Sequence, residues 1–238
     1  MVIYRRIVAT GTTARGTFLK NLLDKSFMPD EFHQLDIERP ADVVKNSAHK
    51  FNRANHCLEA VRIFVEQYSE LFSASPDMQG EYAKVLKSKL DGEYTIQQLI
   101  AIALLYHDIG YNQTKTIAVG SDRQDSYHAT YSTEIMERDD HLKNRFHFSD
   151  TEKQYVLDLV KEHHCWIPEG LINTSDEEIS WTIKDLSNRR NLFFVSLLIV
   201  MLSDVAACQG KKLNPNSVNI RTEAVRQLIK RAFSETTI

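Results

Sequence analysis

The sequence is poor in the residues that break or pin a chain. Its 238 residues include only 8 glycines and 5 prolines, which excludes collagen-like, low-complexity and loop-rich disulfide architectures. Cysteine is scarcer still. The three present, Cys57, Cys165 and Cys208, are odd in number and widely spaced. They form neither a CxxC zinc pattern nor a disulfide framework, and a reducing, cytoplasmic setting is expected. Neither sign of charge dominates. Lysine and arginine total 29 against 32 acids, a formal net charge of −3, so the chain lacks the broad basic field that binds duplex nucleic acid. Long apolar runs are also missing. The longest, Leu192 to Leu202, is interrupted by Ser196 and is short of the roughly 20 residues a bilayer demands. The first residues carry Arg5, Arg6 and Arg15 without the continuous apolar core of a signal peptide. No membrane partner is expected.

What is present is helical periodicity. Hydrophobic residues make up 42% of the chain, enough for a sizeable core at this length. Cys57, Val61, Phe64, Val65, Tyr68 and Phe72 recur at three- and four-residue steps, which predicts a helix over 46–72. A shorter helix is expected over 82–90. Thr95 is a candidate N-cap for Ile96 to Tyr106, a segment apolar on most sides and so central and buried. Residues 111–126 read as a polar loop, followed by a helix from Tyr127 to about Arg138. Ser149 and Glu152 have capping-box spacing and open a helix to about His164. Asn191 to Cys208 and Ser217 to Phe233 complete the set. Strand signals are confined to Ile3–Ala9. The class is therefore all-α, with an N-terminal extension over 1–45 and a main helical domain over 46–238.

Several polar residues fall on faces that should be buried. Asp204 aligns with Leu197, Val200 and Met201, and a lone buried carboxylate is costly without a partner. His107 and Asp108 follow directly on the buried helix. His128 shares a face with Tyr131, Ser132 and Ile135, and His163 continues the stripe of Val156, Leu159 and Val160. His56 lies one residue from the stripe of its own helix. Taken singly, a core histidine is usually a hydrogen-bonded packing residue, and a buried aspartate usually an ion-pair partner. Taken together, these are the side chains that bind borderline divalent cations, projecting inward from different helices as in bundles that build metal sites. His33, His49, His141 and His147 lie in polar surroundings and read as surface residues.

The ordered set resembles the HD-domain superfamily of metal-dependent phosphohydrolases. Arg53-Ala-Asn-His56-Cys-Leu-Glu-Ala-Val61 resembles its first-histidine helix, and Leu104-Leu-Tyr-His107-Asp108-Ile-Gly110 its signature dipeptide. His128-Ala-Thr-Tyr-Ser132, Val160-Lys-Glu-His163-His164 and Leu202-Ser-Asp204 resemble the remaining motifs. The resemblance covers about residues 50–208. It implies an all-α bundle holding one or two divalent ions per chain (Mn, Fe, Mg, Zn or Co). His56, His107, Asp108 and Asp204 would hold one, and Asp108 would bridge to a second held by His128 and His163. The two oxygens of a carboxylate make such sharing chemically sensible.

The implied activity is hydrolysis of a phosphoester or phosphoanhydride, of a nucleotide or cyclic nucleotide, by a metal-activated water. Asp108 has the central catalytic role, with His164 or Lys115 supplying a proton to the leaving group. The partner is then a small phosphorylated molecule, and a homodimer is compatible with the sequence. The adjacent His163 and His164 resemble the HD-GYP branch, which hydrolyses cyclic dinucleotides. Tyr111 stands where that branch has lysine, and Cys165-Trp-Ile-Pro168-Glu-Gly170 does not match its continuation, so cyclic di-GMP is not the expected substrate. Ser132 replaces a glycine frequent in relatives, a position that wants a small residue. Two other functions use the same residues: a mixed-valent di-iron oxygenase, and a non-catalytic sensor of a nucleotide or metal.

Overall fold

Ile96–Tyr106 is the helix on which three of the other helices pack. The computed structural model describes residues 53–72, 83–111, 122–138, 141–163 and 191–207. Of these, 83% are helical and none lies in a strand, in keeping with the all-α class. The main helices are α1 (Arg53–Phe72), α2 (Ile96–Tyr106), α3 (Asp122–Glu137), α4 (His141–Phe146), α5 (Asp150–Glu162) and α6 (Asn191–Ala207). Helix α2 packs against α1, α5 and α6. Helix α1 also packs on α6, α5 on α6, and α3 on α5 and α4. Among the described residues no helix is long and apolar enough to cross a membrane.

The central position of α2 follows from its composition. Every residue from Leu99 to Tyr106 is buried, as is Ile96. Each buried Ile or Leu side chain contributes about 1.5–3 kcal/mol by leaving water, so a segment apolar all round is most stable with neighbours on every side. Its start is fixed locally. Thr95 Oγ1 accepts from Gln98 N, while the Gln98 side chain accepts from Thr95 N at 2.9 Å. Its end is not broken: His107 keeps helical dihedrals (φ −58°, ψ −33°). The chain then tightens into a turn of 3₁₀ type closed by Tyr111 N donating to Asp108 O at 3.0 Å. His107 and Asp108 therefore sit in a rigid continuation of the core helix.

Helix α5 is built in the same way. Ser149 and Glu152 form the expected capping box, and His163 is the C-cap (φ −58°, ψ −24°). Glu152 also reaches out of its own helix and accepts from Tyr94 N at 2.8 Å. Asp91 accepts from Ser149 Oγ at 2.6 Å and from Thr151 Oγ1 at 2.7 Å. These bonds tie the start of α5 to the segment that leads into α2, so the two helices are aligned at their N-terminal ends.

Three elements depart from expectation. Helix α3 begins at Asp122, within the stretch read as loop, because Asp122-Arg-Gln-Asp-Ser has no apolar periodicity to reveal it. The helix expected over 82–90 is helical over 83–87 of the described residues and stops there; the chain then bends, with an isolated bridge pairing Lys89 and Thr95. Helix α4 was not expected. It ends where His147 adopts a positive φ of 54° and donates its N–H to Lys143 O at 2.9 Å. The expected N-terminal extension, the strand Ile3–Ala9 and the helix Ser217–Phe233 lie outside the described residues.

Candidate metal centre

The six ligand candidates come from five places in the sequence and converge at one point. His56 lies in the first turn of α1 and Asp204 in the last turn of α6, 148 residues apart, with His56 Nε2 2.7 Å from Asp204 Oδ1. His107 Nε2 stands 3.2 Å from His56 Nε2 and 3.3 Å from Asp204 Oδ1. On the other side, His128 Nε2 of α3 stands 3.1 Å from His163 Nε2 at the end of α5. Asp108 lies between the two groups. Its Oδ2 is 3.8 Å from both His56 Nε2 and His107 Nε2, and its Oδ1 is 3.1 Å from His128 Nε2. All four histidines and Asp108 are buried.

Two of the histidines, His107 and His163, are aimed by the backbone. His107 Nδ1 donates to Leu104 O at 2.7 Å, and His163 Nδ1 donates to Val160 O at 2.5 Å. In each case a C-cap histidine folds back onto a carbonyl three residues earlier, one of those a helix end leaves without an intrahelical partner. A carbonyl can only accept, so Nδ1 carries a proton and Nε2 faces inward, where it meets either a metal ion or a second proton. Fixing a ligand ring through its other nitrogen is the usual way a protein orients a metal-binding histidine. Two helix C-termini also converge on the cluster, and their partial negative charge favours a cation.

The spacings suit a metal ion. Two nitrogens each about 2.0–2.1 Å from one ion lie roughly 2.9 Å apart at a right angle and roughly 3.4 Å apart at the tetrahedral angle. The Nε2 pairs at 3.2 Å and 3.1 Å fall in that interval. Three overlapping groups have ligand atoms within 4.8 Å of one another and could hold a metal ion: His56 with His107 and Asp108, Asp108 with His128 and His163, and His107 with His163 and Asp204.

Electrostatics point the same way. Burial alone would raise the Asp204 carboxyl, but His107 and His56 beside it outweigh burial and hold it well below the usual carboxylate range. Burial works against a charged His107 ring, yet Cys57, Asp108 and Asp204 outweigh it and hold the ring well above the usual histidine value. Burial pushes the Cys57 thiol up. The pocket thus stabilises positive charge. A metal ion and a proton compete for it, so metal uptake releases protons.

Around the ligands, Tyr111 lies with its ring 5.6 Å from that of His128 and packs against the core. His147 is exposed, as expected of a surface residue. Lys115 and His164, the candidate proton donors, lie outside the described residues, as do His33 and His49. The surface groove lined by Leu90, Tyr155, Leu192 and Phe193 includes none of the six ligand candidates. The sequence reading missed the full role of Ser132, which bonds to both ends of the turn carrying Asp108. Its small size was legible, but the bonds were not.

Fold and site together define the class: an all-α bundle with a buried His/Asp cluster that could hold a metal ion. Compared with known proteins, the chain matches no family model and no curated protein.

Proposed function

We propose that this chain is a metal-dependent phosphohydrolase of HD-domain type, acting on a small phosphorylated molecule such as a nucleotide or cyclic nucleotide. The observation that carries this reading is the division of the Asp108 oxygens, Oδ2 toward His56 and His107 and Oδ1 toward His128. One carboxylate set between two groups of imidazoles is suited to sharing by two cations. A single ion needs no such division.

In this reading His56, His107, Asp108 and Asp204 would hold one ion, and Asp108, His128 and His163 the other. When bound, two divalent ions would supply a water of lowered pKa and offset charge on phosphate oxygens. The protein's own part is to fix the six donors. The buried helix ends hold His107 and His163, and the packing of α1 on α6 holds His56 against Asp204. Preorganised donors of this kind need not rearrange during the reaction. The leaving alkoxide requires a proton, which we assign to His164 or Lys115.

The test is elemental analysis of wild type and Asp108→Ala, with hydrolysis of bis(p-nitrophenyl) phosphate and p-nitrophenyl phosphate in Mn²⁺. Expected are about two ions per wild-type chain, with metal and activity lost together in the variant. Activity retained in Asp108→Ala sinks the reading. Strict dependence on iron with O₂ consumption replaces it by the oxygenase, and full metal loading without phosphoester turnover replaces it by the sensor.

A further inference from the structure

Two sets of helices deliver the ligands. His56, His107 and Asp204 ride on α1, α2 and α6, which pack on one another, whereas His128 rides on α3, which packs on α5 and α4. Helix α3 reaches the other set through α5 and through the turn after α2, and the distance from His128 to Asp108 depends in part on how α3 is joined to that turn. That joint is Ser132. It is fully buried. Its Oγ donates to His107 O at 2.7 Å and accepts from Gly110 N at 2.9 Å, so one hydroxyl spans the turn that carries Asp108. Ser132 lies four residues after His128, on the same face of α3. The approach is backbone to backbone, since a Cβ at Gly110 would stand 2.2 Å from Ser132 N.

We propose that Ser132 is a positioning residue that sets the spacing of His128 from Asp108, and so governs binding of the second metal ion while leaving the first unaffected. The proposal rests on the two-ion reading above. A position that required only small size would accept alanine without consequence. Here alanine removes both bonds that the Ser132 hydroxyl makes between α3 and the turn. His107 keeps its own bond to Leu104 O and its place at the end of α2, so the first site keeps its geometry. His128 loses the hydroxyl clasp between its helix and the turn bearing its Asp108 neighbour.

The test uses full-length protein titrated with Mn²⁺. Calorimetry reads the two affinities, and low-temperature electron paramagnetic resonance reads the spin-coupled signal of a manganese pair. Thr133→Ala is the control, because the Thr133 hydroxyl donates to Thr130 O within α3. Ser132→Ala is expected to weaken the second Mn²⁺ by about 10–100-fold and to lose the coupled signal at concentrations that saturate wild type. First-site affinity should stay within about 3-fold, well short of that second-site loss, and Thr133→Ala should bind both ions normally. Wild-type binding of both ions by Ser132→Ala overturns the proposal, as does equal weakening of both sites, which would make Ser132 merely stabilising. If Ser132→Ala does not fold, Ser132→Cys carries the test with the same two outcomes. A wild type that binds one Mn²⁺ overturns the two-ion reading and this proposal with it. Two ions bound with the same affinities in wild type and Ser132→Ala overturn the role of Ser132 alone.

Discussion

Replacing Gly110 with alanine tests the joint between the ligand-bearing turn and α3 directly. The added Cβ would lie 2.2 Å from Ser132 N, 2.5 Å from Tyr131 C and 2.7 Å from His128 O, all backbone atoms that no rotamer change can move. Ordinary contact begins at 3.4 Å, so turn and helix must separate by about 1.2 Å, if packing is to return to its normal density. Such a shift stretches the bond from Gly110 N to Ser132 Oγ, now 2.9 Å, to about 4 Å, past any hydrogen bond. Forcing extra volume into a packed site costs about 1–3 kcal/mol. Leaving a buried donor unsatisfied costs about 1–3 kcal/mol more. The total, about 2–6 kcal/mol, is a large part of the 5–15 kcal/mol that typically separates folded from unfolded states. Urea denaturation followed by far-ultraviolet circular dichroism, with wild type alongside, measures it. A loss below about 0.5 kcal/mol at unchanged denaturant slope would refute the argument, because the helix would then have room that the structure denies it.

Other consequences can be checked independently. Glu152→Ala should destabilise the fold by about 2–3 kcal/mol, since the buried carboxylate accepts from Tyr94 N and Ser149 N and bonds to charged acceptors are the stronger kind; an unchanged urea midpoint would contradict this. Bonds from Ser149 and then Thr151 hold the Asp91 carboxyl below its ordinary value of 3.8. A depressed carboxylate adds stability above its unfolded value and loses it as pH falls through the folded one. The stability difference between wild type and Asp91→Asn should therefore be steady near neutrality and shrink below about pH 4; a difference that grew in acid would reverse the assignment. His147→Gly should raise the melting temperature, by up to about 1 kcal/mol of stability, because His147 sits at φ 54° where glycine meets no Cβ penalty. A lower melting temperature would show that the exposed ring makes contacts that matter.

Much of this protein is legible in its sequence because the relevant signals are local. The start of α2 at Thr95 and of α5 at Ser149 depends on a side chain meeting an amide three residues on. The burial of α2 depends on a run of apolar side chains. The six ligand candidates stand out because each is a polar residue on or beside an apolar stripe, at the end of a buried helix or within a turn of one. Helix α3 hid its first turn because that turn is polar throughout, and no core-facing period marks it.

The sequence alone determined most of the helices and the all-α class, and marked the His and Asp side chains that face inward. Tertiary structure alone decided the distances. His56 meets Asp204 across 148 residues, Asp108 turns one oxygen to each group of histidines, and Ser132 clasps both ends of the turn between them. Capping and periodicity act over a few residues and are written where they act. The spacing of donors from distant helices is set by how close-packed side chains let those helices approach, and no short window of sequence contains it.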